Sequence, residues 1–142
     1  MNAKLHDSKV IVVDKSAVRR KHLVYLLVSE RAAKYAYGRP HVVYIGETAK
    51  GVSRIAKSVA FRAKQIFGMY GNRRLEVRVV SCPRRPGLSM WKILERDLLK
   101  CFKGLYGELP KCNTQGKKLN PNNLSGYFNA KKLNSILTNF KY

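Results

Sequence analysis

The stretch His41-Val42-Val43-Tyr44-Ile45-Gly46-Glu47-Thr48 decides how this chain folds. Its β-branched and aromatic residues read as a strand over Val42 to Glu47, which Thr48-Ala49-Lys50-Gly51 brings to an end. Upstream, Leu23 to Ser29 is a compact apolar run suited to a buried strand. The segment between them, Glu30 to Pro40, is too long for a tight hairpin and predicts a loop or a short helical excursion. Downstream the periodicity changes. Val52, Ile55, Ala56, Val59, Ala60, Ala63 and Ile66 recur at helical spacing, and Gly68 supplies a stop.

Further along, Leu75 to Val80 alternates apolar and charged residues as a half-exposed strand does, and Pro83, Pro86 and Gly87 punctuate the loop that follows. Ser89 is placed to cap a helix running to about Phe102, with Trp91, Leu94, Leu98 and Phe102 as its apolar stripe and Gly104, Gly107 and Pro110 ending it. Leu133, Ile136, Leu137 and Phe140 mark a short amphipathic helix over Ala130 to Phe140. Near the start, Val10 to Val13 reads as an edge strand followed by a basic connector, Lys15 to Lys21. The order predicts an α+β fold, a small three-stranded antiparallel sheet flanked by helices. Three regions follow: a basic N-terminal extension over 1–22, a core domain over 23–113, and a C-terminal tail with its short helix over 114–142.

Charge narrows the choice of partner. Twenty-nine Lys and Arg against eight Asp and Glu give a formal net charge of +21, a self-repulsion that a large polyanion relieves. No apolar run approaches the roughly 20 residues needed to span a bilayer, and the basic residues are spread along the chain instead of forming one amphipathic helix. Nucleic acid is the better partner, with no membrane expected. Cys82, Cys101 and Cys112 form neither a disulfide framework nor a zinc pattern, and Cys101 is expected to be buried. With no signal-like apolar start, the expectation is an intracellular protein, cytoplasmic or nucleoid-associated.

Four side chains stand out when read one at a time. Glu95 shares the stripe of Trp91, Leu98 and Phe102, where a carboxylate is costly unless it is paired with a cation, a metal or strong donors. It is the strongest candidate for a metal ligand; a salt bridge to one of the many arginines is the structural alternative. Arg54 lies nearly opposite the apolar stripe of its helix, with Ser58, Phe61 and Gln65, where most arginines are simply solvated. Tyr25 and Tyr44 stand within core-like strands, where a buried tyrosine usually just satisfies a hydrogen bond.

Taken together, these residues resemble the GIY-YIG nuclease family. Val24-Tyr25 stands where the family has the Ile-Tyr of its first motif, with Leu23 in place of the usual glycine, and Tyr44-Ile45-Gly46 matches the second motif unchanged. Arg54 falls at the family's helix arginine, Glu95 at its metal-binding glutamate, and Asn113 at an asparagine that follows a proline near the domain's end. Two positions depart from the common pattern: Glu47 stands where many members have Lys or another polar residue, and Ser58 where several have His or Tyr.

The resemblance implies a metal-dependent DNA endonuclease that hydrolyses phosphodiester bonds, of a compact restriction-like, phage or mobile-element type. It implies one divalent cation, Mg2+ or Mn2+, held by Glu95, with hard oxygen ligands and no thiolate or imidazole cluster. Arg54 would bind the phosphate, Tyr25 accept a proton from water, and Tyr44 orient water and phosphate. Gly46 would let the strand end approach the first helix, and Asn113 would order the loop behind the site. Lys57, Arg62 and Lys50 all remain open as the group assisting the nucleophile. Backbone contacts to nucleic acid are expected from Arg19, Arg20, Lys21, Lys34, Arg39, Lys50, Lys57, Arg62, Lys117 and Lys118. Whether the chain acts as a homo-oligomer stays open, because a double-strand break needs either two sites or sequential nicking. The reading from a different class is a noncatalytic nucleic-acid-binding protein.

Overall fold

A computed structural model describes residues 19–69, 71–113 and 118–140. Among them, strands β1 (Leu23–Ser29), β2 (Val42–Thr48) and β3 (Leu75–Val80) alternate with helices α1 (Val52–Phe67), α2 (Met90–Tyr106) and α3 (Ala130–Thr138). The expected edge strand at Val10 to Val13, and Lys117, lie outside the described residues.

The sheet is antiparallel with strand order β2-β1-β3. All seven residues of β1 are buried, which explains why it reads as a continuous apolar run instead of an alternation. Leu23 faces Thr48, Tyr25 faces Gly46 and Leu27 faces Tyr44, before the register shifts between Leu27 and Val28. On the other side Val24 faces Val80 and Ser29 faces Leu75.

The two long helices cover opposite faces of this sheet. Successive strand side chains project to opposite sides, and Tyr25 meets Ser58 of α1 while Glu47, paired with Val24, meets Trp91 of α2. Leu94, Leu98 and Phe102 form the buried stripe of α2, and Leu133 and Leu137 of α3 complete the core. Cys101 is buried, as expected.

Local details differ from the sequence expectation at two points. Ser89 stands at the N-cap of α2 but its side chain caps nothing. Gly104 does not end α2: it packs against Pro121, and the helix continues to Tyr106. The helix stops at Gly107, whose left-handed conformation (φ 81°) turns its N–H onto the Lys103 carbonyl at 2.8 Å. Of the two readings of 30–40, the loop is the one found, with no helical turn. It folds through a tight turn in which Tyr35 N–H donates to Gly38 O at 3.0 Å, and Tyr37 N–H donates to Tyr106 O at 3.1 Å, tying the loop to the end of α2.

Gly107 therefore carries two requirements at once. A Cβ there would lie 2.8 Å from the Tyr37 ring and 2.9 Å from Ala36 Cβ, in addition to the cost of positive φ. Gly107→Ala should lower stability by about 1–2 kcal/mol for the backbone alone, and by more once the loop is displaced. Urea denaturation checks this; a variant as stable as the parent would refute it.

Candidate functional site

Strand register assembles the first part of the site. Tyr25 and Gly46 are cross-strand partners, so they share a face, and alternation places Tyr44 on that face too. The two phenol rings lie 5.8 Å apart between centroids at 43°. Gly46 is the reason they fit. A Cβ at this position would sit 2.6 Å from Tyr44 Cε1, 2.8 Å from the Tyr44 hydroxyl and 2.9 Å from Tyr25 Cζ. The space it leaves open is filled by the two phenols.

Helix α1 adds a polar patch over this pair. Its buried residues are Ile55, Ser58, Val59 and Ile66, whereas Ala56 and Ala60 are exposed. The buried face is thus rotated from the one that the alanines suggested, and Ser58 lies inside it. The physical reason is a matched partner: Tyr25 donates its hydroxyl proton to Ser58 Oγ at 2.7 Å, and Arg62 Nη1 donates to the same oxygen at 2.7 Å. A buried hydroxyl with two such bonds is well satisfied, while an alanine on that face would gain little from burial. The Arg62 guanidinium also lies 3.8 Å over the Tyr44 ring, a cation–π contact of about 0.5–2 kcal/mol. Phe61 is 82% exposed.

This geometry makes Tyr44 a proton holder. Burial, and then the neighbouring Tyr25, push its phenol up to about 12, with Arg62 and Ser58 pulling the other way. Tyr25 behaves differently in hydrogen bonding. With its proton given to Ser58, its oxygen keeps lone pairs for an incoming donor.

Arg54 stands one turn before Ser58 on α1, exposed, with no hydrogen bond or ion pair from its side chain among the described residues. It is available to a ligand at the edge of the tyrosine cluster, whereas Arg62 is built into that cluster. Sequence reading placed Arg62 among the backbone contacts and among the groups open to assist the nucleophile, but not beside Ser58; its i, i+4 spacing from Ser58 was the signal that could have found the couple.

The opposite side of β2 is clamped. Asn113 reaches the strand edge with both amide atoms: its oxygen accepts from Ile45 N–H at 3.0 Å and its nitrogen donates to Ile45 O at 2.8 Å. Cys112 N–H donates to Val43 O at 2.9 Å. Asn113 thus mimics a fourth strand beside Tyr44-Ile45-Gly46. Glu47 accepts from Trp91 Nε1 at 2.8 Å, and His22 stacks on that indole with 4.0 Å between centroids. Its carboxylate therefore serves the β2–α2 contact on the face away from the tyrosines.

Glu95 lies one turn beyond Trp91 on α2, half-buried. Among the described residues no three His, Cys, Asp or Glu side chains form a group able to hold a metal. Glu95 is a single carboxylate that makes an interaction of its own, whereas magnesium keeps several waters and takes one or two carboxylates alongside substrate phosphates. The basic residues Arg19, Arg20, Lys21, Lys34, Arg39, Lys50, Lys57 and Lys118 are all exposed, whereas Arg62 is half-buried. No described helix is long and apolar enough to cross a membrane.

Comparisons with protein-family models, with curated proteins and with solved structures found no match.

Two outcomes test this geometry. Gly46→Ala should force the phenols apart and destabilise the fold by about 1–3 kcal/mol, as overpacking does, and a melting temperature equal to the parent's would contradict the close approach. Tyr44 also leaves a signature in alkali. Because its folded pKa is raised, the unfolded phenol loses its proton first, so the stability contributed by protonated Tyr44 is complete below about pH 10 and is lost as pH climbs through about 12. Tyr44→Phe should flatten the loss of stability between those two values; an unchanged alkaline profile would refute the assignment.

Proposed function

We propose that this protein is a metal-dependent endonuclease that hydrolyses phosphodiester bonds in DNA, related in its site chemistry to the GIY-YIG nucleases. The observation that carries the reading is the paired phenols of Tyr25 and Tyr44, packed across Gly46 and braced by Ser58 and Arg62. A net charge of +21 supports a polyanionic substrate, and Arg54 is an exposed guanidinium one turn from this cluster.

In this reading the scissile phosphate lies over the tyrosine face. Arg54 donates to its nonbridging oxygens, a bidentate task suited to a planar guanidinium. Tyr25 orients the attacking water and accepts its proton, directly or through a relay, as the new bond to phosphorus forms and the bond to the leaving oxygen breaks. Tyr44, protonated at neutral pH as phenols are, donates to water or phosphate. Arg62 fixes the Tyr44 ring and the Ser58 hydroxyl, so neither phenol has to be ordered when substrate arrives. Glu95 belongs to α2, which packs on the other face of the sheet; in this reading it would hold a divalent cation, magnesium or manganese, at the rim of the tyrosine face, and that cation would supply positive charge for the phosphate and the leaving oxygen.

Supercoiled plasmid tests the proposal. Nicking should require magnesium or manganese and cease in EDTA. Glu95→Ala should lower the rate by about a hundredfold or more while duplex binding persists. Binding with no nicking under any metal would favour the noncatalytic nucleic-acid-binding protein, and equal nicking by the variant would remove Glu95 from the site.

A further inference from the structure

Helix α2 carries a second charged feature that the tyrosine site does not use. Lys92, Arg96 and Lys100 recur at i, i+4 spacing and so share one face of the helix. They line a cleft of about 240 Å³ that Ser125 of the tail closes from the other side. Glu95 adjoins this face, directly before Arg96 in the chain.

Asp97 is the acidic group lining the cleft, and its carboxylate oxygens are taken up by hydrogen bonds. It is 1% exposed, and its two carboxylate oxygens accept from Ser125 N–H at 3.1 Å and from Ser125 Oγ at 2.5 Å. Asp97 therefore pins the tail across α2 and leaves the cations at the rim. Lys100 is partly engaged, donating to Asn123 O at 2.5 Å, whereas Lys92 and Arg96 are exposed.

The same pinned tail presents an aromatic ring. Tyr127 N–H donates to Ser125 Oγ at 3.2 Å, and its side chain is exposed, with the Arg85 guanidinium 5.3 Å from the ring centroid. Arg85 opens the turn that leads through Leu88 to Ser89 at the start of the cleft. A row of cations beside an exposed aromatic is the arrangement that binds an unpaired strand: cations take the phosphates and the ring takes a base. A duplex keeps its bases stacked on one another and offers no base face to such a ring.

We propose that the α2–tail cleft binds an unpaired nucleic-acid strand, with phosphates on Lys92 and Arg96 and a base stacked at Tyr127 and Arg85. The proposal rests on the nucleic-acid reading above and adds to it a preference for substrates with a single-stranded segment.

Fluorescence anisotropy in EDTA, which separates binding from cleavage, tests it. The probes are a blunt duplex, the same duplex with a single-stranded extension, and matched single strands of DNA and RNA. The parent should prefer the probes with unpaired nucleotides, and the DNA and RNA arms identify which strand the cleft favours. Tyr127→Ala should weaken binding to those probes by about five- to a hundredfold, the worth of one base–aromatic stack, and Tyr127→Phe should restore it. Lys92→Ala with Arg96→Ala should lower the salt slope on single strands by about 1.4. Unchanged affinity in these variants overturns the proposal, as does an equal loss on the blunt duplex. Competition by polyglutamate as strong as by the oligonucleotide would also overturn it, pointing to an acidic protein instead. Plasmid nicking is scored separately. Nicking that persists alongside unchanged binding in the variants sinks the cleft alone, whereas absent nicking with an intact preference for unpaired strands sinks the nuclease reading alone.

Discussion

The pairing of Gly46 with Tyr25 across the β1–β2 ladder is the constraint on which the site depends. A one-residue slip would turn every β2 side chain to the other face. Tyr44 would then face α2, Glu47 would face the tyrosine, and the gap occupied by the two rings would be lost. Two features hold the register. Every β1 side chain is buried, so a slip would expose apolar surface, and Asn113 bonds both backbone groups of Ile45 at the outer edge of β2. The side-chain amide closes a strand edge that would otherwise present unpaired backbone groups.

On this frame α1 acts as a lid with one polar spot. Ser58 accepts from Tyr25 and Arg62 together, and Arg62 in turn covers Tyr44. The four side chains brace one another, so the cost of burying a hydroxyl and two phenols is offset within the cluster. The cationic side chain also moderates the rise in the Tyr44 pKa that burial imposes. This edge is thus rigid on the sheet side and open toward exposed Arg54, a division of labour that would suit a site preorganised for a charged ligand.

Two carboxylates have structural partners that shape the molecule around this edge. Glu47 joins β2 to α2 through Trp91, and Asp97 joins α2 to the tail through Ser125. In a chain with 29 Lys and Arg against eight Asp and Glu, these two charges offset only a small part of the surrounding cations. The positive field therefore persists over α2 and the tail as well as around the tyrosines, which is what a long polyanion requires of a small protein.

The local signals were strong enough to be read directly from the chain. The apolar run of β1, the β-branched residues of β2, the alternation of β3 and the helical periodicity after Val52 each reflect a preference spanning only a few neighbours, and together they determined the α+β order. Tyr25, Tyr44, Arg54, Glu95 and Asn113 were visible as candidates for the same reason: their identities and spacings lie in the sequence. The tertiary structure alone decided which face of α1 is buried, because Ser58 outcompetes Ala56 and Ala60 only when Tyr25 and Arg62 are there to bond it. It likewise decided that Gly46 makes room for two phenols, and that α2 runs past Gly104, packed against Pro121, to stop at Gly107 against Tyr37. Those outcomes depend on contacts between residues far apart in the chain, and no local propensity encodes them.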